Sequence, residues 1–156
     1  MTVAEVDSAC VFCAIVAGRA EASVVHDDEE VLAFLDIRPV TAGHLLVIPK
    51  RHAAYLADLD EATGGRIFTV AMRLAAALRA SGLPCEGINL FLADGEAAFQ
   101  EVFHTHLHVF PRFAGDTFRI SADWSLTPPR EELDRLAALI RGSQVRDSLL
   151  ADSGWG

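Results

Sequence analysis

Three of the six histidines stand in strict alternation, His104, His106 and His108, within the run HTHLHVF. Side chains two residues apart share one face of an extended strand. A strand over residues 104–110 therefore sets three imidazoles on one side, spread over ~13 Å at ~3.3 Å per residue. One histidine on a strand is ordinarily a hydrogen-bonded core or surface residue, but packing is a poor reason for three in alternation. Imidazoles so grouped supply a neutral nucleophile at pH 7 or a metal ligand, each ring oriented through its second nitrogen. A second set opens the chain, where Cys10-x-x-Cys13 offers two thiolates at metal-ligand spacing. Such a pair also serves redox sites, yet no thioredoxin-like βαβ pattern surrounds this one. A closed tetrahedral zinc site would need two more ligands, most economically histidines.

The elements that must position these groups follow from periodicity and punctuation. Phe12, Ile15 and Val16 fall at helical spacing before Gly18. Residues 24–26 and 31–35 read as strands about an acidic turn, and residues 36–43, with Pro39 and Gly43, as a connecting loop. A short buried strand is expected over 45–48. The longest helical pattern covers 60–81, with Ile67, Val70, Ala71, Leu74, Ala77 and Leu78 on one stripe. Residues 88–92 and 104–110 read as strands, and 130–141 as a last amphipathic helix. Without regular βαβ alternation, the expected class is α+β with an antiparallel sheet. Residues 1–9 form a loose lead, 10–142 one domain and 143–156 a tail that Trp155 could dock; Trp124 is expected to anchor the 116–130 loop.

Composition removes several functions. The formal charge of −9 argues against a basic surface that grips nucleic-acid backbones, so no nucleic-acid partner is expected. No apolar run approaches the roughly 20 residues of a membrane helix, and MTVAEVDSAC lacks the basic start of a signal peptide. Three cysteines do not pair into a secreted framework. A cytoplasmic protein with a real core is expected, since 51% of its residues are hydrophobic. No glycine-rich P-loop is present to cradle phosphates.

The segments CVFCAIVAGRAEASVVHDDEEVLAFLDIRPVTAGHLLVIPKRH and GINLFLADGEAAFQEVFHTHLHVFPR closely resemble the histidine-triad (HIT) family, whose signature alternates His with apolar residues. The Hint-type branch of nucleotide-binding hydrolases and transferases is the most similar. The resemblance implies a HIT-like fold, an antiparallel sheet with one long and one shorter helix, and a homodimer acting on a purine nucleotide or dinucleotide. It makes His106 the nucleophile at the α-phosphorus, forming a nucleotidyl-imidazole that water later hydrolyses. His104 and His108 complete the triad, with His108 on the phosphate, and Gln100 stands near the bridging atom of the leaving group. His44 matches a family histidine beside the triad. Backbone N–H groups around Gln100, Glu101 and Val102 are candidate phosphate donors. Asp36 resembles the acid that takes the ribose hydroxyls, and Phe12, Ile15, Leu35 and Ile37 the positions that sandwich the base. Bacterial members with this CxxC imply one structural zinc per chain on Cys10, Cys13, His52 and His104.

The chain departs from the family pattern at two places. Ala93 stands where many relatives carry a phosphate-contacting asparagine, and Asn89 does not match that position. Phe99 stands where glycine is common, which reshapes the leaving-group side. The expected activity is cleavage of a nucleoside 5′-phosphoryl compound, either a phosphoramidate or a dinucleoside polyphosphate, by chemistry that needs no catalytic metal. A nucleotide-binding regulatory module with little turnover is the alternative, and the third reading makes the histidines and cysteines metal-storage or purely structural ligands.

Overall fold

Two-residue alternation in the central strands gives the sheet two unlike faces. Five strands form it: β1 (Val24–Asp27), β2 (Val31–Leu35), β3 (Leu45–Pro49), β4 (Gly87–Leu92) and β5 (Leu107–Arg112). They lie in the order β1-β2-β3-β5-β4, and every pairing is antiparallel. Val31 and Ala33 of β2, Leu45 and Val47 of β3, and Leu107 and Val109 of β5 face one way. They pack on Ile67, Val70, Ala71 and Leu78 of helix α2 (Glu61–Ala80), the stripe that the sequence marks. Asp60 caps that helix by accepting the Thr63 N–H, satisfying one of the orphan donors of the first turn.

Leu32 and Phe34 of β2 and Leu46 and Ile48 of β3 face the other way. The six-residue helix α1 (Val11–Val16) covers only one end of this face, through Phe12 and the buried Cys10 and Cys13. The rest of that face is left for a cleft. A third helix, α3 (Arg130–Ser143), completes the α+β architecture. The expected class holds, with two shorter helices beside the long one. This computed structural model describes residues 9–144, so the expected lead and tail, with Trp155, lie almost wholly outside the described residues. The chain divides into two compact units, one through Phe118 and one from Arg119 onward. Trp124, in the second unit, is 80% exposed and does not anchor its loop.

One expectation needs correcting. The triad does not lie on a single strand, because β5 begins at Leu107 and only His108 belongs to it. Pairing of β3 with β5 stops at Val47↔Leu107, and β3 ends at Pro49, which has no N–H to extend a ladder. The preceding residues bond elsewhere: His104 N–H donates to the Val102 carbonyl at 2.9 Å and Thr105 N–H to the Ala53 carbonyl at 2.7 Å.

The loop from β2 to β3 is pinned to the sheet, since the Thr41 hydroxyl donates to the Pro111 carbonyl at 2.8 Å. Gly43 of this loop has φ +92, and a Cβ there would stand 2.8 Å from Leu83 Cδ1 and 3.0 Å from Leu78 Cδ2. Backbone strain and the close approach act together. Gly43→Ala is expected to lower unfolding stability by about 1–3 kcal/mol, read as a fall in the urea midpoint at unchanged slope.

Candidate functional site

The half-open face of the sheet holds a cleft of about 640 Å³. His106 and His108 line it together with His44, Asp36, Phe12 and Ile15. Leu35, Ile37, Glu101 and Val102 are in the lining too, so all of the nucleoside candidates meet at one place. Ile37 is 91% exposed, which puts it at the rim. Two predicted residues stand elsewhere. Gln100 is buried outside the lining: its Oε1 accepts the Gly95 N–H at 2.7 Å, and its Nε2 donates to the carbonyls of Ala54 and Val102. Gln100 therefore shapes the connection from β4 to β5. Its own N–H donates to the Gly95 carbonyl, which leaves Glu101 and Val102 as the candidate backbone donors. His104 is fully buried and turns to the cysteines.

Fixed partners assign a proton to each ring. A carbonyl can only accept, so the 2.6 Å contact of His106 Nδ1 with the His104 carbonyl places the proton on Nδ1. The Nε2 lone pair of His106 stays free. An amide N–H can only donate, so Val40 N–H, 3.2 Å from His44 Nδ1, makes that nitrogen the acceptor. His44 Nε2–H then donates to His108 Nδ1 at 2.9 Å, and the remaining proton of His108 sits on Nε2. The cleft thus holds an imidazole lone pair on His106 beside a donor on His108, with ring centroids 4.8 Å apart. Burial holds all three rings neutral: it pushes the His108 pKa down to about 4 and those of His44 and His106 below the usual value.

The surroundings of His106 are apolar on one side, where the Phe12 ring stands edge-on at 5.2 Å from His106 and 5.5 Å from Phe34. On the other side Phe91 of β4 lies 5.9 Å from His108. Asp36 is tied by Oδ1 to the Arg38 N–H at 2.8 Å, and its Oδ2 stands 3.7 Å from His44 Nδ1. Arg38 reaches across the rim to Glu101 at 2.8 Å, a pairing over 63 residues that sequence reasoning missed. Missed too were Phe34, Leu46, Phe91, Phe110 and Phe118 in the lining. Alternation along β2 and β3 could have found the first two. Phe91 needs the register Phe91↔His108, which no local signal carries.

Phe99 has φ 68 and ψ 29, alone among the described non-glycine residues in a positive-φ conformation. That conformation costs about 1–2 kcal/mol with a Cβ present. The Phe99 side chain is 84% exposed at the cleft, so little burial offsets the strain.

Beneath the cleft, Cys10, Cys13, His52 and His104 bring one donor atom each within 4.8 Å of one another. His104 Nε2–H donates to the Pro49 carbonyl at 2.8 Å, which leaves its Nδ1 lone pair toward Cys10 Sγ (3.5 Å) and Cys13 Sγ (3.6 Å). His52 Nδ1 lies 3.3 Å from Cys13 Sγ. Two thiols and two imidazole lone pairs converging in a buried place suit a tetrahedral transition-metal site, and the ligand types suit zinc. Asp36, His44 and His108 also cluster, but the nitrogens of His44 and the Nδ1 of His108 are held in the hydrogen bonds just described.

Comparison with known proteins agrees with this geometry. The model of the HIT domain matches residues 17–115. An uncharacterized HIT-like protein of Mycobacterium tuberculosis is 43% identical over 129 residues, covering 81% of this chain and 89% of that one. A Zn-bound histidine triad family protein from Mycobacterium smegmatis has a similar structure, with TM-score 0.69 and 46% identity over 87% of this chain and 98% of its own. A histidine triad nucleotide-binding protein from Candida albicans matches with TM-score 0.77 and 27% identity, over 86% of this chain and 96% of its own. With its paired imidazoles, its five-stranded antiparallel sheet and these relatives, the chain belongs to the histidine-triad (HIT) family.

Proposed function

We propose that this protein is a nucleotide hydrolase or nucleotidyl transferase that acts at the α-phosphate of a nucleoside 5′-phosphoryl compound. The observation that carries the reading is the neutral His106 ring in the cleft lining, locked through Nδ1 by the His104 carbonyl so that Nε2 keeps its lone pair. Membership of the HIT family supports nucleotide chemistry, as does likeness to a nucleotide-binding relative. His106 Nε2 attacks phosphorus while the bond to the leaving group breaks, giving a nucleotidyl-imidazole. Its Nδ1–H stays on the His104 carbonyl, so the ring carries positive charge in the adduct and is a good leaving group when water attacks. Water then gives the nucleoside monophosphate and returns neutral His106. His108 Nε2–H donates to a phosphoryl oxygen, stabilising charge that grows in the transition state. The Asp36 carboxylate accepts from the ribose hydroxyls, and Phe12 and Ile15 flank the base.

Cys10, Cys13, His52 and His104 hold one structural zinc per chain in this reading. A closed Cys₂His₂ set supplies stability to the amino-terminal segment and leaves no position for substrate. The reduced thiols suit a cytoplasmic setting. A homodimer is proposed as well, because β4 is an edge strand with Leu90 and Phe91 half-exposed and α2 exposes Phe68 and Met72.

Two measurements test these assignments. His106→Ala is expected to reduce kcat by several orders of magnitude while nucleotide still binds, because an essential covalent nucleophile carries most of the acceleration. A variant that keeps more than about a tenth of wild-type kcat, under roughly 1.4 kcal/mol of barrier, removes His106 from the role. Metal analysis of never-chelated protein should find about one zinc per chain, and Cys10→Ser/Cys13→Ser should lower the thermal midpoint by more than it lowers kcat. Less than about 0.2 zinc per chain contradicts the metal assignment.

A further inference from the structure

Beside α1, where the base is proposed to lie, the cleft is walled by Val11, Phe12, Ile15, Ala20 and Ala22. Apolar walls hold a purine by its faces and give little discrimination between purines, which differ at their hydrogen-bonding edges. One residue breaks the pattern. Glu21 stands in the lining between Ala20 and Ala22, and it is exposed.

Backbone hydrogen bonds fix where Glu21 sits. After α1 the chain folds back on the helix, and the N–H groups of Arg19 and Ala20 donate to the Ala14 carbonyl at 2.8 Å and 3.3 Å. On the other side the Leu35 N–H donates to the Ser23 carbonyl at 3.0 Å. Ala22, like Ile15, packs against the cluster that contains Phe12 and Phe34. Glu21 is thus strung between α1 and β2, the elements that carry Phe12, Ile15 and Leu35 into the cleft.

Its charge is uncommitted. Three carboxylates line the cleft, Glu21, Asp36 and Glu101, and two of them are engaged. Glu101 pairs with Arg38 at 2.8 Å, while Asp36 accepts the Arg38 N–H at 2.8 Å and stands 3.7 Å from His44. Glu21 makes no hydrogen bond or ion pair with any other described residue.

A carboxylate has two oxygens that only accept. Guanine offers it N1–H and an exocyclic N2–H side by side, which suits two parallel charge-assisted hydrogen bonds. Adenine offers a lone pair at N1 beside its N6 amine, so one oxygen would face a lone pair. Hypoxanthine offers N1–H alone. The group that binds one purine therefore rejects another.

Resting on the nucleotide reading above, we propose that Glu21 is a specificity-determining residue that reads the base edge and makes guanine nucleotides the preferred substrate class. Its oxygens accept from guanine N1–H and N2–H while Phe12 and Ile15 hold the ring and Asp36 the ribose.

The test measures dissociation constants of GMP, inosine 5′-monophosphate and AMP by amide chemical-shift titration of wild type, Glu21→Gln and Glu21→Ala at pH 7. Because the readout is binding, it does not depend on turnover. An exposed side chain without a partner is replaceable, so both variants should keep the wild-type thermal midpoint. Wild type should bind GMP about tenfold more tightly than AMP, within the range of one bidentate base-edge pair, with inosine monophosphate between them. Glu21→Ala should bring the ratio of GMP to AMP near one by weakening GMP. Glu21→Gln should favour AMP, because a carboxamide offers a donor to adenine N1 and an acceptor to its N6 amine. A wild-type ratio near one, or a GMP preference that both variants retain, overturns the proposal and leaves the nucleotide reading standing. If none of the three nucleotides binds wild type, the nucleotide reading falls and the role of Glu21 with it.

Discussion

A single hydrogen bond, from His106 Nδ1–H to the His104 carbonyl at 2.6 Å, fixes what this site can do. Neutral imidazole has two tautomers, and only one leaves the lone pair on Nε2. The backbone carbonyl selects it because it can only accept. Burial of the ring then disfavours the protonated form at neutral pH, so the lone pair is available without a separate base. A second chain, Val40 to His44 to His108, sets the neighbouring ring in the opposite tautomer and leaves it a donor. Adjacent imidazoles on one cleft thereby take different roles from different partners.

The position of the His104 carbonyl depends in turn on what holds His104. Its ring is fully buried, bonded by Nε2–H to the Pro49 carbonyl and turned by Nδ1 toward two thiols. Helix α1 has six residues, too few to be stable by itself, and its N-cap Cys10 and its Cys13, both buried, meet this ring. A metal bound by these four side chains would tie the amino-terminal helix, the end of β3 and the loop before β5 into one support. That support would stand behind the His106 ring, although none of the four side chains is in the cleft lining.

Much of this was legible in the sequence because it is local. The stripe on α2, the alternation in β2 and β3 and the spacing of the cysteines are each set by neighbouring residues. The HIT resemblance then assembled a cleft list from Phe12 to His108 that the fold brings together. What stayed hidden depends on pairing across long separations. Alternation alone placed three histidines on a strand, whereas the lack of an N–H at Pro49 and the bond from Thr105 to Ala53 end β5 at Leu107. The Arg38–Glu101 pair and the approach of Phe91 to His108 follow from sheet order, which no single segment encodes. Gln100 looked like a substrate contact, but its amide is satisfied by three backbone groups, a fact visible only once the turn is built. Phe99 was conspicuous as a residue type, and its left-handed backbone explains why a glycine would be at ease there.

The central claim concerns the proton on one ring, and it is open to direct observation. Long-range ¹H–¹⁵N correlation spectra of the protein at pH 7, with His106 assigned through a His106→Asn variant, distinguish protonated from unprotonated ring nitrogens. The account predicts that His106 carries its proton on Nδ1 and a bare lone pair on Nε2, while His108 carries its proton on Nε2. A His106 ring protonated on Nε2, or on both nitrogens, would contradict it.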